Sequence, residues 1–313
     1  MSTYIVRRIL STVPVVLFVM IFVFSLLYLA PGDPAAILAG DQATQQDIEN
    51  IRRELGLDRS FPVRFVEWSV GIAQGDFGRS IFTREPVSRM ILTRVEPTLS
   101  LMVVTLVIAL IIAIPMGVAA AWKRGSLLDR VIMLVAVLGF SVPVFVVGYM
   151  LAWVLALQLG WLPVQGYTPI AEGVWPWLRG LLLPAITLSG VYIALIARIT
   201  RATMLEILQQ DYIRTARAKG VANNSVLFVH ALRNAMVPIV TVVGLGIALM
   251  ISGAVVIETV FSLPGLGRLT VDSILRRDYP VIQAIILIFS FVYVFINLLI
   301  DLSYTIIDPR IRY

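Results

Sequence analysis

Six apolar runs, each long enough to cross a bilayer, constrain this chain more than any other feature. They read as Ile9–Ala30, Leu99–Ala121, Val131–Leu157, Leu181–Ile199, Ala235–Ile257 and Val281–Ile300. About 20 apolar residues in a helix span the roughly 30 Å of hydrocarbon. Only 14% of the residues are charged, against about a quarter in soluble domains. The pattern predicts an all-α membrane protein of six transmembrane helices, with the lipid bilayer as its solvent. The first run follows Arg7 and Arg8, is longer than the apolar core of a signal peptide and ends without an A-x-A site. It is expected to remain as an anchor.

Charge sets the expected orientation. If the N-terminus is cytoplasmic, that side collects Arg7 and Arg8; Lys123, Arg124 and Arg130; Arg198, Arg201, Arg214, Arg217, Lys219 and Arg233; and Arg310 and Arg312. The two short loops on the other side hold only Arg179, Arg268, Arg276 and Arg277. Lys and Arg accumulate in short cytoplasmic loops, so both termini are expected in the cytoplasm. The net charge of +6 then reflects topology, and no nucleic-acid partner is expected.

Residues 31–98 form a long outer segment. Pro31-Gly-Asp-Pro34 is expected to stop the first span, and Thr44 with Asp47, then Ile48, Ile51 and Leu55 before Gly56, reads as a capped amphipathic helix. Phe65, Trp68, Met90, Ile91 and Leu92 suit either a segment lying along the membrane surface or a small solvated cap. Pro14, Pro115, Pro143, Pro184 and Pro238 fall in the spans, where proline is tolerated. They either kink a bundle that rocks between two shapes or simply reflect how common proline is in such helices. Arg198, Glu258 and Asp301 lie at span ends and are expected to snorkel to the interface. Ser141, Thr187, Ser189, Tyr192, Ser252 and Asn297 are the mild polar residues inside. They are expected to form interhelical hydrogen bonds or to line a substrate path.

The motifs that signal chemistry are missing. The only lysines are Lys123 and Lys219, and neither sits in G-x-x-x-x-G-K-[ST], so this chain lacks that phosphate loop. A single histidine, His230, excludes H-E-x-x-H; no G-x-S-x-G elbow occurs; and the absence of cysteine excludes disulfides and thiolate ligands. No acid or histidine lies mid-membrane to relay protons. No catalytic residue, metal site or cofactor of its own is expected.

What remains is a basic loop between the fourth and fifth runs. Glu206 to Lys219 contains helix formers without Gly or Pro, Gly220 can end that helix at positive φ, and Asn223, Asn224 or Ser225 can cap a second short helix leading into the fifth run. Ala216, Ala218, Gly220 and Ala222 supply small residues, and Arg214, Arg217 and Lys219 supply positive charge. Such a knob suits docking into a partner's cleft; the plainer reading is a charged loop that anchors topology.

Thr215-Ala-Arg-Ala-Lys-Gly220 followed by His230-Ala-Leu-Arg-Asn-Ala235 resembles the EAA loop of ABC-importer permeases, in the variant of the peptide/nickel subfamily. Arg214 stands where the general pattern has Glu, and His230-Ala-Leu-Arg233 where it ends in Pro; both departures are typical of that subfamily. Leu29-Ala-Pro-Gly-Asp-Pro34, Asp76-Phe-Gly-Arg-Ser80, Glu258-Thr-Val-Phe-Ser-Leu-Pro-Gly-Leu-Gly267 and Asp308-Pro-Arg310 resemble further signatures of that family, in order along the chain. The resemblance implies a type I importer fold in a bacterial inner membrane, with residues 1–94 as first helix plus outer segment, 95–304 as permease domain and 305–313 as tail. It implies a homologous second permease, an extracytoplasmic solute-binding protein, and two cytosolic ATPases that bind ATP and Mg. By position, Tyr212, Arg214, Ala216, Arg217, Gly220 and Ala222 are the expected ATPase contacts. The expected cargo is di- or oligopeptides, with nickel chelates, glutathione or opines as alternatives. A self-contained secondary transporter and an intramembrane enzyme are the competing classes.

Overall fold

The computed structural model describes residues 2–29, 34–39, 43–54 and 56–307. Pro31-Gly-Asp33, Leu55 and the Asp308-Pro-Arg310 signature with Arg312 lie outside the described residues, as do the side chains of Arg7 and Arg8. The described residues form helices and loops, and the chain divides into two compact units. One comprises Met1–Arg94 with Leu269–Val294, the other Val95–Arg268 with Phe295–Tyr313.

The helices are α1 (Ser2–Leu29), α2 (Pro34–Ala39), α3 (Gln45–Glu54), α4 (Phe61–Ala73), α5 (Val87–Trp122), α6 (Leu127–Ser141), α7 (Val144–Leu151), α8 (Val174–Ile207), α9 (Asp211–Ala218), α10 (Asn223–Ser225), α11 (Leu232–Val260), α12 (Leu266–Arg276) and α13 (Tyr279–Ile307). Five are long and apolar enough to cross a membrane, and α6 with α7 makes a sixth if the bent pair counts as one span.

That pair corrects the expected continuous third span. Between α6 and α7 the axis turns by 104°. The cause is local. Val142 precedes Pro143, and the proline ring pushes the residue before it out of the helical region; Val142 sits at φ −93°, ψ 128°. Pro14, Pro115, Pro184 and Pro238 all remain inside continuous helices. Proline alone therefore does not break a span here.

In the first unit, α3 forms as its capping pair predicts. The Thr44 N–H donates to Asp47 Oδ2 (3.0 Å), and the Asp47 N–H donates back to Thr44 Oγ1 (3.3 Å). Gly56 follows at φ +63°. The side chains of Phe65 and Trp68 do not form a free membrane-facing stripe. They pack with Phe61 around Phe24 of α1, with ring centroids 5.2–5.6 Å from it. Met90, Ile91 and Leu92 belong to the first turns of α5, which begins at Val87 rather than Leu99. The Asp76-Phe-Gly-Arg-Ser80 signature folds into a tight loop: the Gly78 N–H donates to Asp76 Oδ1 (2.9 Å), and Gly78 takes φ +79°. Buried Ser80 donates to Asp278 Oδ2 (2.5 Å), and the Ile81 N–H donates to Asp278 Oδ1 (3.1 Å). Asp278 immediately precedes α13, so the loop and the start of that helix share one carboxylate.

In the second unit, α8 packs against α6, α7 and α11. Small residues let these backbones approach, as membrane helices require in the absence of a hydrophobic drive between them. A Cβ on Gly117 of α5 would stand 2.6 Å from Thr200 Cβ of α8. Gly148 of α7 is buried, and a Cβ there would meet Phe261 and Thr187 at 3.3 Å.

Glu258 corrects another expectation. It does not snorkel but is fully buried. Thr98 Oγ1 donates to its Oε1 (2.6 Å), the Arg268 N–H donates to its Oε2 (3.0 Å), and the Leu266 N–H donates to Thr98 Oγ1 (2.8 Å). The carboxyl group thus caps the first turn of α12, whose N–H groups have no partner within the helix. This explains the glycines of the Glu258–Gly267 signature. A Cβ on Gly265 would overlap the Glu258 carboxyl, and one on Gly267 would lie 2.5 Å from Val255 Cα.

Candidate functional site

The basic loop folds as a short helix held on a packed base. The expected helix from Glu206 to Lys219 is in fact two pieces. α8 runs on to Ile207, a turn covers residues 208–210, and α9 starts at Asp211. Asp211 in its first turn and Arg217 in its last complement the helix dipole. At its end the Gly220 N–H donates to the Arg217 carbonyl (2.9 Å) and the Val221 N–H to the Ala216 carbonyl (3.2 Å). That is the paired closure of a Schellman motif, and it requires the left-handed φ of +80° that Gly220 adopts. The cap of the next helix is Ala222, not an asparagine or serine; Asn223 is already helical. This helix does not stand alone. It passes through a wider π-helical segment, Val226–Ala231, and continues as α11.

Beneath α9 lies an apolar core. Ile213 is fully buried among Met204 of α8, Val118 and Ala121 of α5, Val226, Leu227 and Ala231 of the π segment, and Ala235 and Ile239 of α11. Val221, just beyond the Schellman glycine, packs on the same cluster. A displacement of α9 is therefore shared with three long helices through close-packed side chains, which are nearly incompressible. Sequence reasoning passed over Ile213. Its signal was present as the one large aliphatic residue among the polar and small residues of Asp211–Ala218.

The expected contact residues lie mostly on the opposite face. Tyr212, Arg214, Arg217, Gly220 and Ala222 are exposed, and Ala216 is half-buried. Arg214 pairs with Asp211 across one turn (3.3 Å), with both side chains open to solvent; such pairs contribute little. The Arg217 guanidinium lies over the Trp122 ring, 5.8 Å from its centroid. Burial raises the Tyr212 hydroxyl above its usual pKa, partly offset by a hydrogen bond with Asn234. The Asn234 amide also donates to the His230 carbonyl (2.6 Å), so His230 and Asn234 of the second signature brace the base of the knob.

One more tie joins α6 to α8. Asp129 in the first turn of α6 is buried and receives two hydrogen bonds from Arg201 of α8, from Nε at 2.5 Å and Nη2 at 2.8 Å. Its Oδ2 also accepts from the Gly125 N–H (2.9 Å), while its own N–H donates to Ser126 Oγ (3.3 Å). Charge counting treated Arg201 only as a topology signal, and its spacing of 72 residues from Asp129 offers no local cue.

The mild polar residues are not brought to one surface. Thr187, Ser189 and Tyr192 of α8 are buried, Asn297 is half-buried, and Ser141 and Ser252 are exposed. For three of them a bond within the helix takes the place of the expected interhelical one. Ser141, Thr187 and Ser189 donate to the carbonyls of Val137, Leu183 and Ile186 (2.8–2.9 Å). A hydroxyl one turn below a carbonyl finds a partner without needing a neighbouring helix. Among the described residues, no three His, Cys, Asp or Glu side chains gather as metal ligands.

Against known families, residues 113–313 match the model described as "Binding-protein-dependent transport system inner membrane component". Residues 1–102 match its N-terminal companion, "Binding-prot-dependent transport system membrane comp, N-term". The chain belongs to this family. The permease is 54% identical to a probable peptide ABC transporter permease of Sinorhizobium fredii, over 100% of both chains. It is 46% identical to a putative peptide transport system permease of Brucella abortus and 43% identical to a glutathione transport system permease of Pectobacterium atrosepticum, again over 100% of both chains in each case. The resemblance read from the loop signatures therefore holds: this is the permease of an ABC importer, and a multi-pass membrane protein.

Proposed function

We propose that the permease forms half of a translocation pathway for di- or oligopeptides, glutathione among them, and that cytosolic ATPases drive it by gripping α9. The observation that carries this reading is the combination of an exposed basic face on α9, followed by the exposed small residues Gly220 and Ala222, with the buried Ile213 anchor beneath it. A lever needs a surface to be held by and a rigid joint to pull on. Tyr212, Arg214, Ala216, Arg217, Gly220 and Ala222 supply the surface. The peptide and glutathione transport named for the relatives supports the cargo class.

In this reading the subunit is non-catalytic. A homologous second permease completes the pathway, two ATPases bind ATP and Mg, and an extracytoplasmic binding protein delivers cargo. The assembly sits in the bacterial inner membrane in the type I arrangement, with both termini cytoplasmic as the basic loops imply. Residues 95–304 act as the permease domain. ATP-driven closure of the ATPases draws the coupling helices together and opens the pathway outward; hydrolysis resets it. Ser141, Thr187, Ser189, Tyr192, Ser252 and Asn297 remain the candidates for lining. Nickel chelates or opines are the alternative cargo within this mechanism. An ion-coupled transporter, the competing mechanism, would lose uptake to an uncoupler and need no ATPase.

Gly220→Asp and Ala216→Trp test the docking surface. Space around Gly220 is open, with nothing within 4 Å of an added Cβ, so beyond the left-handed strain of about 1–2 kcal/mol a substituent there meets only a partner. Both variants are expected to insert and express normally, to lose ATPase co-purification and to lose uptake. Full uptake by Gly220→Asp would refute the docking role.

A further inference from the structure

Beside α9 lies an open cleft of about 510 Å³, lined among others by Trp122, Arg124, Leu205, Leu208, Gln209 and Arg217. We propose that it binds the phosphodiester head group of an anionic phospholipid of the inner leaflet.

The chemistry of the walls points to that ligand. Two guanidinium groups face the cleft, and no carboxylate lines it. Asp129, whose charge Arg124 feels, already has both oxygens bonded to Arg201. Arg124 therefore retains hydrogen-bonding capacity for an anion. Guanidinium groups match phosphate oxygens in two-pronged fashion. Arg217 is held over the Trp122 ring at 5.8 Å, so its plane is oriented before a ligand arrives.

The depth of the cleft points to a lipid rather than a soluble anion. Trp122 closes α5, and Lys123 and Arg124 follow at once. An apolar helix ending in tryptophan and then basic residues marks the head-group level of a membrane. Leu205 and Leu208 at the end of α8 form an apolar wall suited to the glycerol and first methylenes, while the amide of Gln209 offers a donor. Anionic lipids concentrate basic side chains at the cytoplasmic surface. A head group seated between Arg124 and Arg217 would brace α9 from the membrane side, making coupling sensitive to lipid composition. This inference rests on the inner placement of the loop proposed above but not on ATPase docking.

The test uses the complete importer, with its ATPases, in detergent, titrated with short-chain phosphatidylglycerol or phosphatidylcholine and read by native mass spectrometry. Arg124→Gln is expected to weaken phosphatidylglycerol binding about tenfold, the loss of one charge-assisted contact, and to leave phosphatidylcholine unchanged. Trp122→Leu, which unseats Arg217, should weaken it in the same direction. Arg276→Gln, an exposed arginine of α12, should have no effect. Wild-type phosphatidylglycerol binding by both Arg124→Gln and Trp122→Leu would overturn the proposal. Displacement of the lipid by millimolar inorganic phosphate would overturn it in favour of a small-anion site. Binding to the permease pair alone that vanishes in the complete importer would overturn it in favour of an ATPase side chain filling the cleft. Co-purification of the ATPases with Arg124→Gln, measured in parallel, separates this outcome from failure of the coupling reading.

Discussion

Shortening Ile213 should uncouple ATP hydrolysis from uptake without dismantling the permease. The side chain is fully buried and joins α9 to α5, α8 and α11 through one apolar cluster. Replacing a buried isoleucine with valine costs about 0.5–1.5 kcal/mol, and with alanine about 2–5 kcal/mol, because the removed methylenes leave a cavity that refills only in part. α9 has just eight residues, too few to be stable in water without such packing. The whole cost therefore falls on the docking of α9, while the long helices retain their own contacts. Each 1.4 kcal/mol shifts the docked-to-undocked ratio tenfold, so alanine should lower it by about one and a half to three and a half orders of magnitude. The assay is ATP hydrolysed per peptide imported, measured in proteoliposomes of the complete importer. The ratio should rise from wild type through Ile213→Val to Ile213→Ala, with monodispersity and membrane insertion unchanged. Tyr212→Ala, on the exposed face, should weaken ATPase binding and leave the amide protection of α9 intact. Normal coupling in Ile213→Ala would refute the claim that α9 works as a rigid lever.

Asp129→Ala strands Arg201 and should destabilise the permease, by up to about 3–5 kcal/mol for a fully buried pair and less here, since a quarter of the Arg201 side chain remains exposed. Asp129→Ala/Arg201→Leu should recover much of that loss in a thermal unfolding scan in detergent; a double variant no better than the single would contradict the pairing. Gly220→Ala should cost only the left-handed strain of about 1–2 kcal/mol, whereas Gly267→Ala should lose folded protein altogether, because its Cβ would sit 2.5 Å from the Val255 backbone. Comparing the yields of the two variants after detergent extraction decides the point.

Period, length and charge were local properties, and the sequence displayed them. The apolar runs marked five long helices and the bent α6–α7 pair, since hydrocarbon demands a minimum length of apolar chain whatever surrounds it. The Thr44–Asp47 cap and the Gly220 closure were legible for the same reason: each is completed by neighbours within a few residues. The basic loop stood out through its motif, yet its division at residues 208–210 did not, because good helix formers occupy both sides of the turn.

Partners distant in the chain were decided only by tertiary structure. The glycines after Glu258 make room for its carboxyl, but the Thr98 hydroxyl that donates to it lies 160 residues away. The same holds for Asp129 with Arg201 and for Ser80 with Asp278. Proline positions were visible, but which of them breaks a helix was not. A freed carbonyl can be satisfied by neighbours that sequence does not reveal, and only Pro143 parts α6 from α7. Ile213 is the plainest case. One aliphatic residue in a polar helix hints at a buried side, but what it joins is decided only once four helical segments close around it.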